Sequence, residues 1–556
     1  MKRAVISLFF LFSFCFIYCS WDPTPTNVTT AATNYRCRSA NVAMNHSGYG
    51  IATWGYYDSV TTRFYVQAST TNNFGKSWST TPTTIDPLHY ATGAQSNTRP
   101  RVVMDNDNHA IIIWHRFVSP SSYEVRVTPY GASAQNITLL DTSPINHPTR
   151  PEIAMNNLGN AIAIWSLGDT SNNHFIKTAY SSDYGNTWST PTIFNPQRPS
   201  RDWVFPQLLM DDNGHAIAVW EEEIGYVHYV RYAISTDFGK TWSESSTIDG
   251  TTYNRTNAFS KLAWDKNGNV IITFENRDAA NDYYVRTAYS SDWGATWSSA
   301  ITLNPTTPCL DWVSPHVAMD ETGHATIVWQ ASLTGPFDIK TVCSDDYGKT
   351  WSSTTTLDTG SEDWSFPKVA MDNAGKAIII WNFRRPGGGN IWDIKVSNSF
   401  DYGKTWSTSP TILAAAIETI TAGTPRAEVV MDPHGNINAT NGLAIWAHAS
   451  AASSTVDTNH YQIITLSISG QKGSIKGFLQ EEIRNKTICD PIGQMGTFKL
   501  YKDPGLTQLI DSVRKDTDVA ELIERRVKKG DIRTYYVTWT DDFGNKTGPA
   551  QITIID

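Results

Sequence analysis

The 556-residue sequence is poor in cysteine, poor in charge and nearly without long apolar runs. It holds six Cys, and only Cys37, Cys309, Cys343 and Cys489 lie beyond residue 20. Four thiols in a chain this long are too few for a disulfide framework, so the fold has to rest on a packed core. Cys309 and Cys343 fall within one repeat and are read either as a pair or as buried free thiols. Charged residues make up 17% of the chain, the net charge is −9, and no basic stripe occurs. That balance argues against nucleic acid as a partner. The one extended apolar run is at the start: residues 1–20 place Lys2 and Arg3 before it, the layout of a secretory signal peptide. The expectation is an exported protein with no membrane span. Cys19 is a candidate lipid-anchor site, although Ile17 and Tyr18 before it depart from the small residues that such a signal prefers. Metal-ligand spacing such as His-Glu-x-x-His is absent too. His109, His215 and His324 recur at one position, each alone, which reads as structural. The acidic turn at Asp105 and Asp107 has fewer ligands than a dedicated calcium loop. No metal and no cofactor are expected.

What the chain has in abundance is aromatic residues, 12% of the total with 21 Trp, and a repeated octet. Ser181 to Trp188 reads SSDYGNTW, and it returns as Ser235 to Trp242, Ser290 to Trp297, Ser344 to Trp351 and Ser399 to Trp406. The five Trp are 54, 55, 54 and 55 residues apart, a period that signals a solenoid or a propeller. Each letter has a reason. Asp183, Asp237, Asp292, Asp346 and Asp401 can accept from backbone N–H groups just ahead of them, and the Gly two residues later can take positive φ. Together they make a tight turn, and the Thr-Trp that follows suits a strand restarting against a packed surface.

The octet resembles the Asp-box of sialidase-like, BNR-repeat β-propellers. Five copies keep Asp, Gly, Thr and Trp, and a sixth, Thr71 to Trp78, has Asn73 in place of Asp. The resemblance implies a propeller whose Asp-boxes are structural turns remote from the catalytic centre.

Between octets one template recurs: PEIAMNNLGNAIAIW ending at Trp165, PQLLMDDNGHAIAVW at Trp220, PHVAMDETGHATIVW at Trp329 and PKVAMDNAGKAIIIW at Trp381. Weaker copies end at Trp54, Trp114, Phe274 and Trp446. An apolar strand, a polar turn, a second apolar strand, a third strand, the octet and a fourth strand starting at its Trp describe one propeller blade. Eight units predict an all-β, eight-bladed propeller over residues 21–470, with seven blades as the alternative. The last unit lacks a fourth strand. Trp21 onward (WDPTPTNVTT) lines up with Trp188 onward (WSTPTIFNPQ), so the N-terminal segment is expected to complete that blade and close the ring. Residues 471–556 leave the template. TYYVTWTDDFGNKTGPAQITI from Thr534 resembles the end of a fibronectin type III domain, with Tyr535 as tyrosine-corner candidate, and implies a small β-sandwich.

Blade geometry sorts the chemistry. The loops that lead into strand 1 and leave strand 2 should ring the mouth of the central channel, and the octets should lie at the other end. Ahead of strand 1 stand Asp202-Trp203, Asp311-Trp312 and Asp363-Trp364, and two blades put Arg99 and Arg150 directly before Pro. Arg36, Arg38 and Arg426 lie near the same point of other blades. After strand 2 come His115-Arg116, Glu221 to Glu223, Glu275, Arg277, Arg384, Arg385 and His448. The ligand-binding candidates are therefore Arg99, Arg150, Trp203, Glu221, Trp312, Trp364 and Arg384. Arg can fork onto carboxylates and Trp can stack on sugar rings, whereas the bland readings are inter-blade ion pairs, inter-sheet packing and, for Glu221 to Glu223, a solvated loop. The sialidase resemblance implies an Arg triad, an Asp acid/base and a Tyr nucleophile activated by Glu. Its first Arg is separated from Pro by Ile or Leu, whereas here Arg touches Pro. Tyr226 and Tyr229 have nothing that fixes either near the channel, so no catalytic residue is assigned. Two functions stay open: an exported surface that binds a glycan or a cell-surface protein, favoured because the catalytic signature is missing, and an exo-acting, sialidase-type glycoside hydrolase.

Overall fold

The computed structural model describes the backbone of most residues between Tyr35 and Ala449, apart from loop stretches such as 91–97, 194–204 and 419–426, plus strands of both chain ends. Side chains are described only between residues 39 and 446. Residues 1–15, and with them most of the expected signal peptide, lie outside this set. The chain divides into two compact units, one of Pro23–Gly435 with Asn441–Tyr461, the other of Met1–Asp22, Asn436–Thr440 and Gln462–Asp556.

The first unit is a β-propeller. Seven blades are sheets of four consecutive antiparallel strands, beginning with Tyr35–Met44, Arg101–Met104, Glu152–Met155, Gln207–Met210, Lys261–Trp264, His316–Met319 and Lys368–Met371. An eighth sheet begins with Ala427–Met431 and takes its outer strand from the N-terminal segment: Thr26 pairs with Thr458 and Asn27 with Asp457. Each innermost strand packs beside those of the two adjacent sheets, and Ala427–Met431 meets Tyr35–Met44. The ring is closed where the N-terminal segment pairs with residues 457 and 458 and where Ala427–Met431 lies beside Tyr35–Met44, as the alignment of Trp21 with Trp188 implies.

Second strands are buried on both faces because every blade is covered by a neighbour on each side. Ala161 to Ser166 are all buried in register with Lys177 to Ser181 and Ile176. The core therefore lies between blades: Ile111, Ile113, Val125 and Val127 of the second blade pack with Ile153, Ala163 and Trp165 of the third. Trp54, Trp114, Trp165, Trp220, Trp329, Trp381 and Trp446 are essentially inaccessible to solvent. Three of these indoles also join blades: Nε1 of Trp114 donates to Asp86 at 3.1 Å, that of Trp165 to Asp141 at 3.0 Å and that of Trp381 to Asp358 at 3.1 Å.

The octets fold as turns. In the third blade the Asp183 carboxylate accepts from Thr187 N at 2.9 Å, Thr187 Oγ1 at 2.6 Å and Ser181 Oγ at 2.8 Å. Burial alone would raise this carboxyl's pKa, but the hydrogen bonds from Thr187 and Ser181 outweigh it and the net shift is downward. The aromatic between Asp and Gly takes positive φ as well, 59° at Tyr184, and its N–H donates to Gly159 O of the strand 1–2 turn at 2.9 Å. The fourth strand does not start at the Trp, as the template suggested. Trp188 Nε1 folds back onto Gly185 O at 3.0 Å, and the strand begins at Thr192. Gly185, at φ 80°, abuts the preceding blade, where an added Cβ would lie 2.8 Å from Ile111 Cδ1. The first blade meets the eighth in the same way, through Gly75 and Leu443, at 2.6 Å.

Cys309 and Cys343 are buried free thiols. Each recurring His holds its own turn and packs on an aromatic of the next blade's octet: His109 is tilted against Tyr184, while His215 stacks on Trp293 and His324 on Tyr402, with ring centroids 4.1, 4.2 and 3.6 Å apart. Their Nδ1 atoms lie 2.7 to 2.9 Å from Asp105, Asp211 and Asp320.

The second unit contains a three-stranded sheet ordered Ile468–Gln471, Ser474–Gly477, Ala520–Leu522 and a four-stranded sheet ordered Leu509–Lys515, Gly496–Tyr501, Ile532–Asp541, Lys546–Ile555. Both are antiparallel.

Candidate functional site

One equivalent residue of each innermost strand, in six blades its first, stands at the channel. In sequence these positions follow the template's Pro or its replacement, and they carry Asn41, Arg101, Glu152, Gln207, Lys261, His316, Lys368 and Glu428. Six such polar residues open strands that are otherwise almost wholly apolar. They bridge blades. Val102 N donates to Asn41 at 2.9 Å, Arg101 Nε to Glu152 at 3.0 Å, Lys261 Nζ to Gln207 at 2.8 Å and Val369 N to His316 Nδ1 at 3.4 Å, and Lys368 Nζ stands 3.9 Å from Glu428.

Above this belt opens a cavity of about 300 Å³, lined by residues of seven of the eight sheets. Its wall is the turn into strand 1, and that turn is strained. Arg99, Arg150, Ser314 and Phe366, each just before a Pro, have φ of 36°, 42°, 41° and 43°. Left-handed backbone at non-glycine residues costs on the order of 1–3 kcal/mol each and persists only where surrounding contacts impose it. Here one such contact is a buried polar side chain at the end of the preceding blade's second strand. Gln330 Oε1 accepts from Ser365 N and Phe366 N at 2.7 and 2.9 Å, while its Nε2 donates to Trp312 O at 2.8 Å. Glu275 does the same one blade earlier, accepting from Val313 N at 2.8 Å. Burial drives the Glu275 carboxyl up to about 8, against the opposing pull of the Val313 and Ser314 amides.

The sequence candidates fall into three groups. Arg99, Arg150 and Trp312 line the cavity, and the Arg150 guanidinium lies 3.8 Å over the ring of Phe205. Trp364 stands in the adjoining loop and Arg384 ends the strand Ala377–Arg384. The Trp364 ring stacks on Trp312 at 5.0 Å and donates Nε1 to Asp311 at 3.2 Å, and Arg384 Nη1 donates to Asp363 at 3.2 Å. Glu221 differs from its reading as part of a solvated loop. It lies within the strand Ala216–Ile224 with Glu221 and Glu222 each 1% exposed, and Glu222 is tied to Arg231 at 2.5 Å. The strand runs on because Glu222 pairs across the sheet with Tyr229 and brings its carboxylate to that guanidinium. Trp203 lies outside the described residues, as do Asp202, Arg426 and Tyr226, and the side chains of Arg36, Arg38 and His448 are likewise outside them. The five octet Asp sit at the opposite end from the cavity, because their turns bond to the strand 1–2 turns.

The charged belt escaped sequence reasoning. Its signal was present as a polar letter at the head of PEIAM, PQLLM, PHVAM and PKVAM, the residue that strand alternation turns toward the axis.

Electrostatics differ around the belt. Burial, followed by the positive charge of Lys368, pulls Lys261 down to about 7. Burial, with Lys368 and Lys261, holds His316 well below the ordinary histidine value, as fits an imidazole that accepts a backbone N–H. Arg101 is raised by Glu152.

Residues 133–379 match the family described as BNR repeat-like domain. The chain carries a sialidase-like BNR-repeat propeller. Among solved structures, this propeller is similar to the NanB sialidase from Streptococcus pneumoniae, with 11% identity, 65% of this chain and 67% of that one covered, and a TM-score of 0.37. It is similar to the Penicillium chrysogenum α-L-arabinanase complexed with arabinobiose, with 13% identity, 69% and 99% covered, and a TM-score of 0.39. It is also similar to a PL25 ulvan lyase, with 10% identity, 78% and 95% covered, and a TM-score of 0.43. No curated protein matches the sequence. At such identities and TM-scores these likenesses carry no functional argument, and function has to be argued from the site.

Proposed function

We propose that this BNR-repeat propeller is an exported carbohydrate-binding protein that takes a sugar at the channel mouth. The observation that carries the reading is the stacked pair Trp312 and Trp364, whose loops adjoin a cavity also lined by Arg99 and Arg150. Aromatic faces give a sugar ring an apolar platform, and guanidinium forks give its oxygens direction. Locked left-handed turns pre-organise that wall, which reduces the ordering cost of binding. The C-terminal unit, with sheets of three and four antiparallel strands, suits a fibronectin type III-like spacer. Export rests on the Lys2-Arg3 start and its apolar run.

A glycan array tests the reading. The full chain should bind a restricted set of glycans, and Trp312→Ala should weaken that binding at least about tenfold without lowering the melting temperature by more than a few degrees. If no glycan binds, a cell-surface protein becomes the better partner. The second reading, exo-acting hydrolysis, draws on Glu152 and Glu428, the two carboxylates lining the cavity. Both have cations beside them, Arg101 at 3.0 Å and Lys368 at 3.9 Å, and no Tyr or Asp is among the described residues lining the cavity. Release of a fluorescent aglycone from a sialoside would favour hydrolysis over binding.

A further inference from the structure

Lys261 is the cation of the channel belt that has no acid. Arg101 is matched by Glu152 at 3.0 Å, and Lys368 stands 3.9 Å from Glu428. The Nζ of Lys261 instead donates to the neutral amide of Gln207 at 2.8 Å. On its other side the next belt residue is His316, which accepts from Val369 N and is therefore uncharged at that nitrogen. Among the described belt residues, the positions Gln207, Lys261 and His316 thus hold one ammonium group and no carboxylate. Burying a charge without a partner is costly unless something in the functional state supplies the counter-charge.

A second observation points the same way. Ser260 and Ser314 line the same cavity and are 2% and 8% exposed. Each has a buried Oγ with no hydrogen-bond partner among the described residues. An ammonium group whose acceptor is a neutral amide and two hydroxyl groups without acceptors, all lining one cavity, are complementary to an oxygen-rich anion.

We propose that Lys261, Ser260 and Ser314 form an oxyanion site at the floor of the cavity, selective for a carboxylate or sulfate group, and that anion binding is coupled to proton uptake at Lys261 Nζ. The balance is simple. The free site holds the amine largely deprotonated at alkaline pH; the bound site holds ammonium beside the anion, and the proton comes from solvent. The charged groups facing Lys261 across the channel are Lys368, Glu152, Arg101 and Glu428, and the first of these opposes its charge most. Where the anion is borne by a sugar the inference rests on the glycan reading above; where it is a free ion it stands by itself.

Titration of the full chain with sodium sulfate, sodium galacturonate and galactose, read by calorimetry from pH 6 to pH 9, decides it. Sulfate should bind at pH 6, and its affinity should fall above pH 7 by a factor approaching about tenfold per pH unit, the limit for uptake of one proton. Lys261→Arg should still bind sulfate but with a flat pH profile, because the guanidinium does not titrate there. Lys261→Met should lose at least about tenfold at pH 6, and Ser260→Ala should weaken binding while leaving the wild-type pH profile in place. Galacturonate binding more tightly than sulfate assigns the anion to a sugar, and the reverse order assigns it to a free ion. Equal sulfate affinity in wild type and a folded Lys261→Met chain, or a wild-type profile flat from pH 6 to 9, overturns the proposal. The two readings fail separately: an array without hits leaves Lys261-dependent sulfate binding standing, and hits that Lys261→Met leaves unchanged remove the anion site but keep the glycan.

Discussion

The two ends of the propeller channel solve opposite problems. At the octet end the turn answers its own polar groups: Asp183 takes three donors, Gly185 sits on Ile111, and Tyr184 N–H reaches Gly159. The same arrangement recurs at Asp237, Asp292, Asp346 and Asp401. At the mouth the residues differ from blade to blade, left-handed turns carry Arg and Phe, and Lys261 and Glu275 are buried with their charged forms disfavoured. Uniformity marks where the ring is held together. Irregularity marks where the chain holds strain and buried ionisable groups that stability alone does not favour.

Substitutions can break that contrast, and the largest effect belongs to the inter-blade core. Trp165→Ala removes a fully buried indole and leaves Asp141 without its 3.0 Å donor, so a loss of about 3–5 kcal/mol is expected in urea unfolding. Gly185→Ala comes next. An alanine there would hold φ near 80° with its Cβ 2.8 Å from Ile111, and should cost about 2–3 kcal/mol by the same measurement.

A smaller effect separates the charge of the octet Asp from its geometry. Asn73, which naturally replaces Asp in the first blade, still accepts from Ser77 N at 2.9 Å and donates to Ser77 Oγ at 2.8 Å. Asp346→Asn should therefore cost under about 1 kcal/mol, and Asp346→Ala about twice that. The lowered pKa of Asp346 fixes the pH window. Its contribution is complete above the unfolded carboxyl value near 4 and disappears only as pH falls through the lower folded value, so Asp346→Ala and wild type should converge in strong acid.

The mouth should answer pH in a different range. Glu275 has a folded pKa raised to about 8, so between roughly pH 4.5 and 8 the folded state holds a proton that the unfolded state has released. Stability should decline as pH rises through that window. Glu275→Gln, which supplies the acceptor that Gln330 already provides one blade on, should flatten the decline and raise the melting temperature at pH 8. Lys261 acts with the opposite sign. Its folded pKa near 7 lies below the unfolded value, so stability should climb between pH 7 and about 10 in wild type and not in Lys261→Met.

The sequence revealed the scaffold far better than the site, and the reason is physical. A turn that satisfies itself within eight residues writes its whole geometry locally, so SSDYGNTW could be read from its letters, and the place of the N-terminal segment in the last sheet could be found by aligning Trp21 with Trp188. Even there, the folding of Trp188 back onto Gly185 O was hidden, because an indole reads equally as strand or as anchor. The mouth is built from residues about 50 positions apart that meet only when the ring closes. Arg99, Arg150 and Trp312 could be placed by blade geometry, but Glu221 was misread because a run of three Glu looks solvated when Arg231 across the sheet is not considered. Lys261 drew no notice at all. Its isolation from acids becomes visible only once its neighbours in the belt are known to be Gln207 and His316.

The glycine-to-side-chain junction that links each octet to the blade behind it has a practical consequence for protein engineering. Ile111, Ile162, Ile217, Ile271, Thr326 and Leu443 serve it from the same position of their sheets, and the seam between first and last blade is built like the others. The angular step is thus fixed far from the loops that shape the opening, which makes those loops natural places for grafted or shuffled segments and makes a blade interchangeable as a cassette.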